Sequence, residues 1–128
     1  MRNTKQRRAI LAALEQAHRP LGPKEVLELA VRSGEASSES VPELSLATVY
    51  RNLNAMLEAH LLIAVQVLGQ SPRYELAGLD HHHHFLCDRC DRMFDFQGCP
   101  DSIAKLAPSG FEVTSHELML NGLCDECH

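Results

Sequence analysis

Two Cys-x-x-Cys pairs, Cys87/Cys90 and Cys124/Cys127, frame the last third of this chain, and the histidines His81, His82, His83 and His84 run into the first pair. A Cys-x-x-Cys puts two sulfurs on one tight turn, at the bite a tetrahedral zinc requires. Two such pairs complete a four-thiolate shell. Cys87, Cys90, Cys124 and Cys127 are therefore expected to hold a structural Zn2+. The gap of 33 residues between the pairs is longer than in compact zinc ribbons. Such a site ties the end of the chain to the middle of a domain. Two disulfides, or four reduced thiols without a ligand, are the competing readings. Paired motifs of this kind in a chain without a signal peptide usually bind metal. Cys99 stands outside the scheme and reads as a buried or spare thiol.

A chain of 128 residues can hold one domain or two small ones. With 45% apolar residues, six aromatics and no Trp, its core must be mostly aliphatic. No apolar run reaches membrane length, and the start is basic and polar. The expected location is the cytoplasm, where reduced cysteines persist, and no membrane partner is expected. Net charge is −5 but unevenly spread. Residues 1–76 hold nine Lys/Arg and eight Asp/Glu, a balance of +1; residues 77–128 hold three and nine, a balance of −6. The first part can approach a polyanion through Arg2, Lys5, Arg7 and Arg8; the second is suited to cations.

Apolar spacing divides the chain further. Ile10, Leu11 and Leu14 predict a helix over Thr4 to Ala17, with Thr4 as its cap. Pro23 fits a first helical turn, and Val26, Leu27 and Ala30 continue a second helix. Ser33 to Ser40 reads as a loop. Ser45 is a good N-cap for a third helix to about Ala59, with Val49, Leu53, Met56 and Leu57 on its apolar face. Leu61 to Leu68 is rich in β-formers, Gly69 to Pro72 is a turn, and Arg73 to Leu76 pairs back. Three helices followed by a hairpin make a winged helix over residues 1–76. Residues 77–80 form a hinge. In residues 81–128 the expected elements are strands His82 to Cys87 and Met93 to Phe96, a helix Asp101 to Ala107, and a strand Phe111 to Leu118.

Taken in order, these residues resemble the ferric uptake regulator family of metal-sensing repressors. The resemblance rests on Arg2-x-Thr4-x-Gln6-Arg7, SLATVYRNL at 45–53, HHHHFLCDRC at 81–90, GF at 110–111, His116 and GLCDEC at 122–127. It implies an α+β fold: an N-terminal winged-helix DNA-binding domain and a small C-terminal α/β dimerisation domain carrying the four-cysteine zinc site. It also implies metal-dependent binding to double-stranded operator DNA as a homodimer. The chain departs from many members in starting almost at the first motif. His60 stands where a glycine usually ends the recognition helix, so it must take a left-handed or altered turn.

The third helix is the natural DNA reader. Ser45, Ala47 and Thr48 present short side chains and N–H groups at its start, allowing close approach to phosphates and bases. Tyr50 and Arg51 lie away from the Val49/Leu53 face, where Tyr can touch a thymine methyl and Arg a phosphate or guanine. Arg2, Lys5 and Arg8 are candidate phosphate contacts, and Arg73 on the wing is a further one. Solvated surface is the competing reading for each.

Strand geometry sorts the histidines, because alternate side chains point to opposite faces. His82 and His84 share one face; His81 and His83 share the other. The family resemblance supplies the other ligands by position. Glu75 and Asp95 match two carboxylates, and His18 approximately matches a histidine between the first two helices. The regulatory site implied is His18, Glu75, His82, His84 and Asp95. The second site implied is His81, His83 and His116, with Asp101 as fourth ligand.

The function expected is that of a transcriptional repressor whose regulatory divalent metal is favoured as Zn2+, with Fe2+ or Mn2+ also suited to the donors. An iron-bound peroxide sensor or an iron/manganese-responsive repressor is the alternative within the class. Outside it stand a zinc-dependent hydrolase and a metal-storage protein. The hydrolase lacks an HExxH-like pairing, and SLATVYRNL speaks against storage alone.

Overall fold

The computed structural model describes residues 4–36, 44–100 and 102–128, and the side chains of all of these except 4 and 33–36. Arg2, Asp101, the Thr4 side chain and residues 37–40 of the expected loop lie outside the described residues. The chain divides into two units, Met1–Leu79 and Asp80–His128.

The first unit begins with α1 (Thr4–Ala17), whose buried stripe is Ala9, Ile10, Ala13 and Leu14. It stops at His18, which takes a left-handed φ of 55°. α2 (Pro23–Ala36) starts on proline, and the Glu25 carboxylate accepts the Gly22 N–H at 3.1 Å, satisfying one donor at the helix start. The helix runs past Ser33, where a loop was expected, to Ala36. Ser and Gly each lower helix propensity by under or about 1 kcal/mol, too little to stop a helix already propagating.

α3 (Leu46–Glu58) follows its N-cap Ser45, whose Oγ accepts the Thr48 N–H at 3.2 Å. It buries Val49, Asn52, Leu53 and Met56. Its end is the left-handed turn expected at His60, with φ 60°. There the His60 N–H donates to Leu57 O and the Leu61 N–H to Met56 O, using carbonyls the helix would otherwise leave unpaired.

β1 (Leu62–Val65) pairs antiparallel with β2 (Arg73–Leu76), from Leu62 opposite Leu76 to Val65 opposite Arg73. Leu21 bridges Tyr74 and exchanges both backbone hydrogen bonds with it, so the α1–α2 connection is stitched to the hairpin. Ile10, Leu14, Leu21, Val26, Leu53 and Met56 form the centre of one aliphatic core. This is the winged helix expected from the sequence.

The second unit is a three-stranded sheet in the order β4-β3-β5. β3 (His83–Cys87) lies antiparallel to β4 (Met93–Phe96) and parallel to β5 (Met119–Gly122). Two expectations need correction. The helix of residues 101–107 reduces to one 3₁₀ turn, Ile103–Leu106. Pro108 disfavours helical backbone at Ala107, which is extended at φ −65°, ψ 149°. The strand expected over Phe111 to Leu118 is irregular; residue pairing with β3 starts at Met119, and the His84 N–H donates to Leu118 O at 3.2 Å. Phe111 and Val113 are exposed, and among the described residues no strand runs beside them. Period-two patterning records an apolar face but not its partner. Among the described residues, no helix is long and apolar enough to cross a membrane.

Candidate metal centres and nucleic-acid interface

Cys87 ends β3, Cys90 closes the turn after it, and Cys124 and Cys127 follow β5. The parallel register sets Cys87 opposite Gly122, and the Asp88 N–H donates to Gly122 O at 2.7 Å, which carries Cys124 back to the first pair. All five cysteines are unbridged. The four sulfurs lie within 4.8 Å of one another, and Cys90 Sγ is 3.8 Å from Cys124 Sγ. A tetrahedral zinc with sulfurs at about 2.3 Å has sulfur–sulfur edges of about 3.8 Å, whereas a disulfide needs about 2.05 Å.

The electrostatics agree with a cation shell. Hydrogen bonds, chiefly from the Cys90 N–H, bring the Cys87 thiol down to about 6 against the opposing effect of burial. Burial would raise Cys90, but the Arg92 side chain and backbone outweigh it and the thiol is lowered. Cys127 is pushed up to about 12, first by sharing a hydrogen bond with Cys124. Four sulfurs this close compete for protons, and a divalent cation removes the conflict. Sequence reasoning missed Arg92. Its Nε donates to Cys90 Sγ at 3.2 Å and an Nη to Glu126 at 2.8 Å, with Cys124 Sγ at 3.9 Å.

The histidine run divides as strand geometry requires. His82 and His84 have ring centroids 4.8 Å apart. Asp95 stands opposite His84 in the β3–β4 register, with its Oδ1 3.4 Å from His84 Nε2 and 3.9 Å from His82 Nε2. His82 Nδ1 is 2.7 Å from the Asp80 carbonyl oxygen. A carbonyl only accepts, so Nδ1 carries the hydrogen and Nε2 is the nitrogen that could hold a cation.

On the other face, His81, His83 and His116 converge with ring centroids 4.6 to 5.1 Å apart. The fourth member is Cys99. Its Sγ lies 2.8 Å from His83 Nε2, 3.2 Å from His81 Nε2 and 3.3 Å from His116 Nε2. The expectation of a buried or spare thiol is corrected: Cys99 is exposed as a residue, and its sulfur lies against three imidazoles. Gly98, at φ 111°, makes the turn that returns Cys99 after β4. Nothing in linear spacing pairs Cys99 with the histidines; the opposition of His83 and Phe96 across the sheet does. Burial first, then the neighbouring imidazoles, lower the His83 pKa, which favours the neutral ring that metal ligation requires.

Two of the predicted ligands lie on the first unit: Glu75 on β2, buried, and His18 at the end of α1, exposed.

On α3, Tyr50 and Arg51 are exposed beside the buried Val49 and Asn52. Ser45, Thr48 and Arg51 are linked: Ser45 Oγ and Thr48 Oγ1 are 3.0 Å apart, and an Arg51 Nη donates to Thr48 Oγ1 at 3.2 Å. Ala47 is exposed on the same turn, and Lys5 and Arg8 are exposed on α1. Arg73 does not fit the expected wing contact. It is buried, donating to Ser71 O and Gln70 Oε1 and packing against Gly22, so it braces the turn.

A sequence model of the Ferric uptake regulator family matches residues 1–121. The chain belongs to this family. It is 31% identical to the ferric uptake regulation protein of Campylobacter jejuni over 133 residues, covering all of this chain and 80% of that protein. It is 30% identical to the peroxide-responsive repressor PerR of Staphylococcus aureus over 130 residues, covering 99% and 82%. It also matches a solved zinc-bound manganese uptake regulator with a TM-score of 0.77 at 25% identity, covering 97% of this chain and 91% of that one. Members of the ferric uptake regulator family are metal-responsive transcriptional regulators, not enzymes, so the hydrolase reading falls away.

Proposed function

We propose that this regulator represses transcription by binding double-stranded operator DNA as a homodimer when His82, His84 and Asp95 hold a divalent metal, with zinc favoured there and a structural zinc at the four cysteines. The observation that carries the reading is the division of one histidine run, at the start of β3, into two separate clusters, beside a four-sulfur cluster. A structural ion and an exchangeable one then need not compete for ligands. Glu75 and His18, assigned by the family resemblance, are the proposed further ligands from the first unit. A metal that binds one conformation of the protein better than another shifts the population toward it, which is how such a site selects the DNA-binding form.

The reading face is the start of α3, where Tyr50 and Arg51 supply base or phosphate contacts and Ser45, Ala47 and Thr48 allow close approach. Lys5 and Arg8 add phosphate contacts. Exposed Leu106, Phe111, Leu120 and Leu123 on the second unit support self-association, since a second copy would cover them. Imidazole and carboxylate donors also suit Fe2+ and Mn2+. Iron-based peroxide sensing is the second reading, supported by Asp95 beside two histidines and by the likeness to PerR.

A mobility-shift titration tests both. Duplexes enriched from the source genome by metal-loaded protein are bound with zinc, Fe2+ or Mn2+, the iron arm with and without peroxide. The metal that produces binding names the effector, and loss on peroxide in the iron arm alone selects the second reading. Tyr50→Ala and Arg51→Ala should each weaken binding by about 1–3 kcal/mol for a base contact, less for a phosphate. His82→Ala should abolish the metal dependence, and His81→Ala should do so less. Binding unaffected by any metal, or by His82→Ala, rejects the proposal; equal loss in both histidine variants rejects the assignment of faces.

A further inference from the structure

We propose that Cys99 is a metal ligand, completing with His81, His83 and His116 a three-nitrogen, one-sulfur site that takes a zinc-class cation in preference to iron or manganese. The inference goes beyond the reading above, and takes from the family resemblance only that the three histidines are ligands. It places a thiolate where the sequence suggested a carboxylate.

Convergence is the first argument. Four donor atoms from separate places in the chain lie within 4.8 Å of one another. Sulfur–nitrogen separations run from 2.8 to 3.3 Å, and His81 Nε2 is 3.2 Å from His116 Nε2. A tetrahedral ion with nitrogens at about 2.05 Å and sulfur at about 2.3 Å has edges of about 3.3 to 3.6 Å. These four edges are slightly shorter than those of that tetrahedron, and the remaining two lie within 4.8 Å.

Satisfaction is the second. Three imidazole Nε2 atoms face one sulfur, and two of them, on His81 and His116, also face each other at 3.2 Å; with at most one hydrogen on each neutral Nε2, three donated to the sulfur would leave two N–H groups opposed. His83 Nδ1 is buried and has no hydrogen-bond partner among the described residues, so the ring gains nothing from its other side. A cation at the centre satisfies all four donors at once. Donor type then sets the ion: a thiolate with three imidazoles at four-coordination suits zinc, while Mn2+ prefers more oxygen-rich, six-coordinate shells.

The test uses the full chain with zinc retained at the four cysteines and weaker metal removed by chelator. One equivalent of Co2+ is added; zinc binds such sites more tightly than cobalt, so the four-cysteine zinc stays in place. The expected spectrum has a sulfur-to-cobalt charge-transfer band in the near ultraviolet. Cys99→Ser should lose that band while keeping one zinc per chain, and His82→Ala should keep it. Alkylation mapped by mass spectrometry gives an independent readout: Zn2+ should protect Cys99, and His116→Ala should abolish the protection. A wild-type spectrum without the band, a band surviving in Cys99→Ser, or alkylation of Cys99 indifferent to zinc overturns the proposal. In those cases the four atoms are a hydrogen-bonded cluster only. Neither readout involves DNA, so failure here leaves metal-dependent repression standing, and failure of repression leaves the cobalt band intact.

Discussion

The first unit buries ten mutually packed side chains, from Ile10 to Tyr74, whereas the fully buried apolar members of the second are few: Leu86 and Met93, with the sulfurs of Cys87 and Cys124. One half is held by aliphatic burial. The other is a small three-stranded sheet whose ends are gathered by cysteines. A unit this small cannot bury enough apolar surface to offset chain entropy, and such domains commonly rely on metal or oligomerisation. The contrast matches the proposed division of labour. DNA reading asks for a rigid helix whose outer face is open, and the α3 core face provides it. Metal response asks for donors whose arrangement depends on the ion.

The sharpest way to break this comparison is to remove the ion that the second unit is proposed to need. Exhaustive chelation under reducing conditions, or Cys87→Ser, should abolish amide-exchange protection across β3, β4 and β5 while α1, α2 and α3 keep theirs. Structural zinc in small domains is worth on the order of 10 kcal/mol, more than a sheet of this size can replace. Hydrogen exchange resolved by peptide measures it. Protection retained in the sheet after metal loss would show that its own packing suffices.

The converse experiment perturbs the first unit alone. Leu53 is fully buried in α3, against the centre of the aliphatic core. Leu53→Ala should cost about 2–5 kcal/mol, from lost transfer energy and the cavity left behind. Denaturant unfolding of the first unit should shift accordingly, and tightly bound zinc per chain should not change. A loss of zinc in this variant would mean that the two units do not fold independently.

The same contrast explains what could be read from the sequence. Helices one and three were legible because their signals are local: Ile10 and Leu14 lie within one turn and a half, Ser45 caps within three residues, and His60 substitutes for glycine at a turn whose geometry is fixed by the helix before it. The hairpin needed only an adjacent turn. In the second unit the decisive relations are long-range. Cys124 is placed by a parallel register to β3, and Cys99 by its return over His83 after β4. The irregular stretch at 111–118 shows the limit most plainly, since Phe111 and Val113 suggest a strand face but name no partner to pair with. Arg92 went unnoticed for a similar reason: beside one cysteine in sequence, it is useful because it reaches the other pair in space.

Arg92 therefore offers the smallest but finest test. Its guanidinium donates to Cys90 from the first pair and approaches Cys124 of the second, linking the halves of the four-sulfur cluster. A shell of four thiolates around a divalent ion carries excess negative charge, and an outer cation that hydrogen-bonds the sulfurs stabilises it. Arg92→Gln should weaken zinc retention about 10–100-fold, the usual range for lost outer partners of metal ligands, without unfolding the sheet. Competition with a chromophoric chelator measures the change. Glu126→Gln is the control. Glu126 also bonds Arg92, but its side chain is 69% exposed, and solvent-exposed ion pairs contribute little. Zinc retention should stay within a few-fold of wild type there. Equal losses in the two variants would mean that Arg92 acts through its salt bridge to Glu126, and not through the sulfurs.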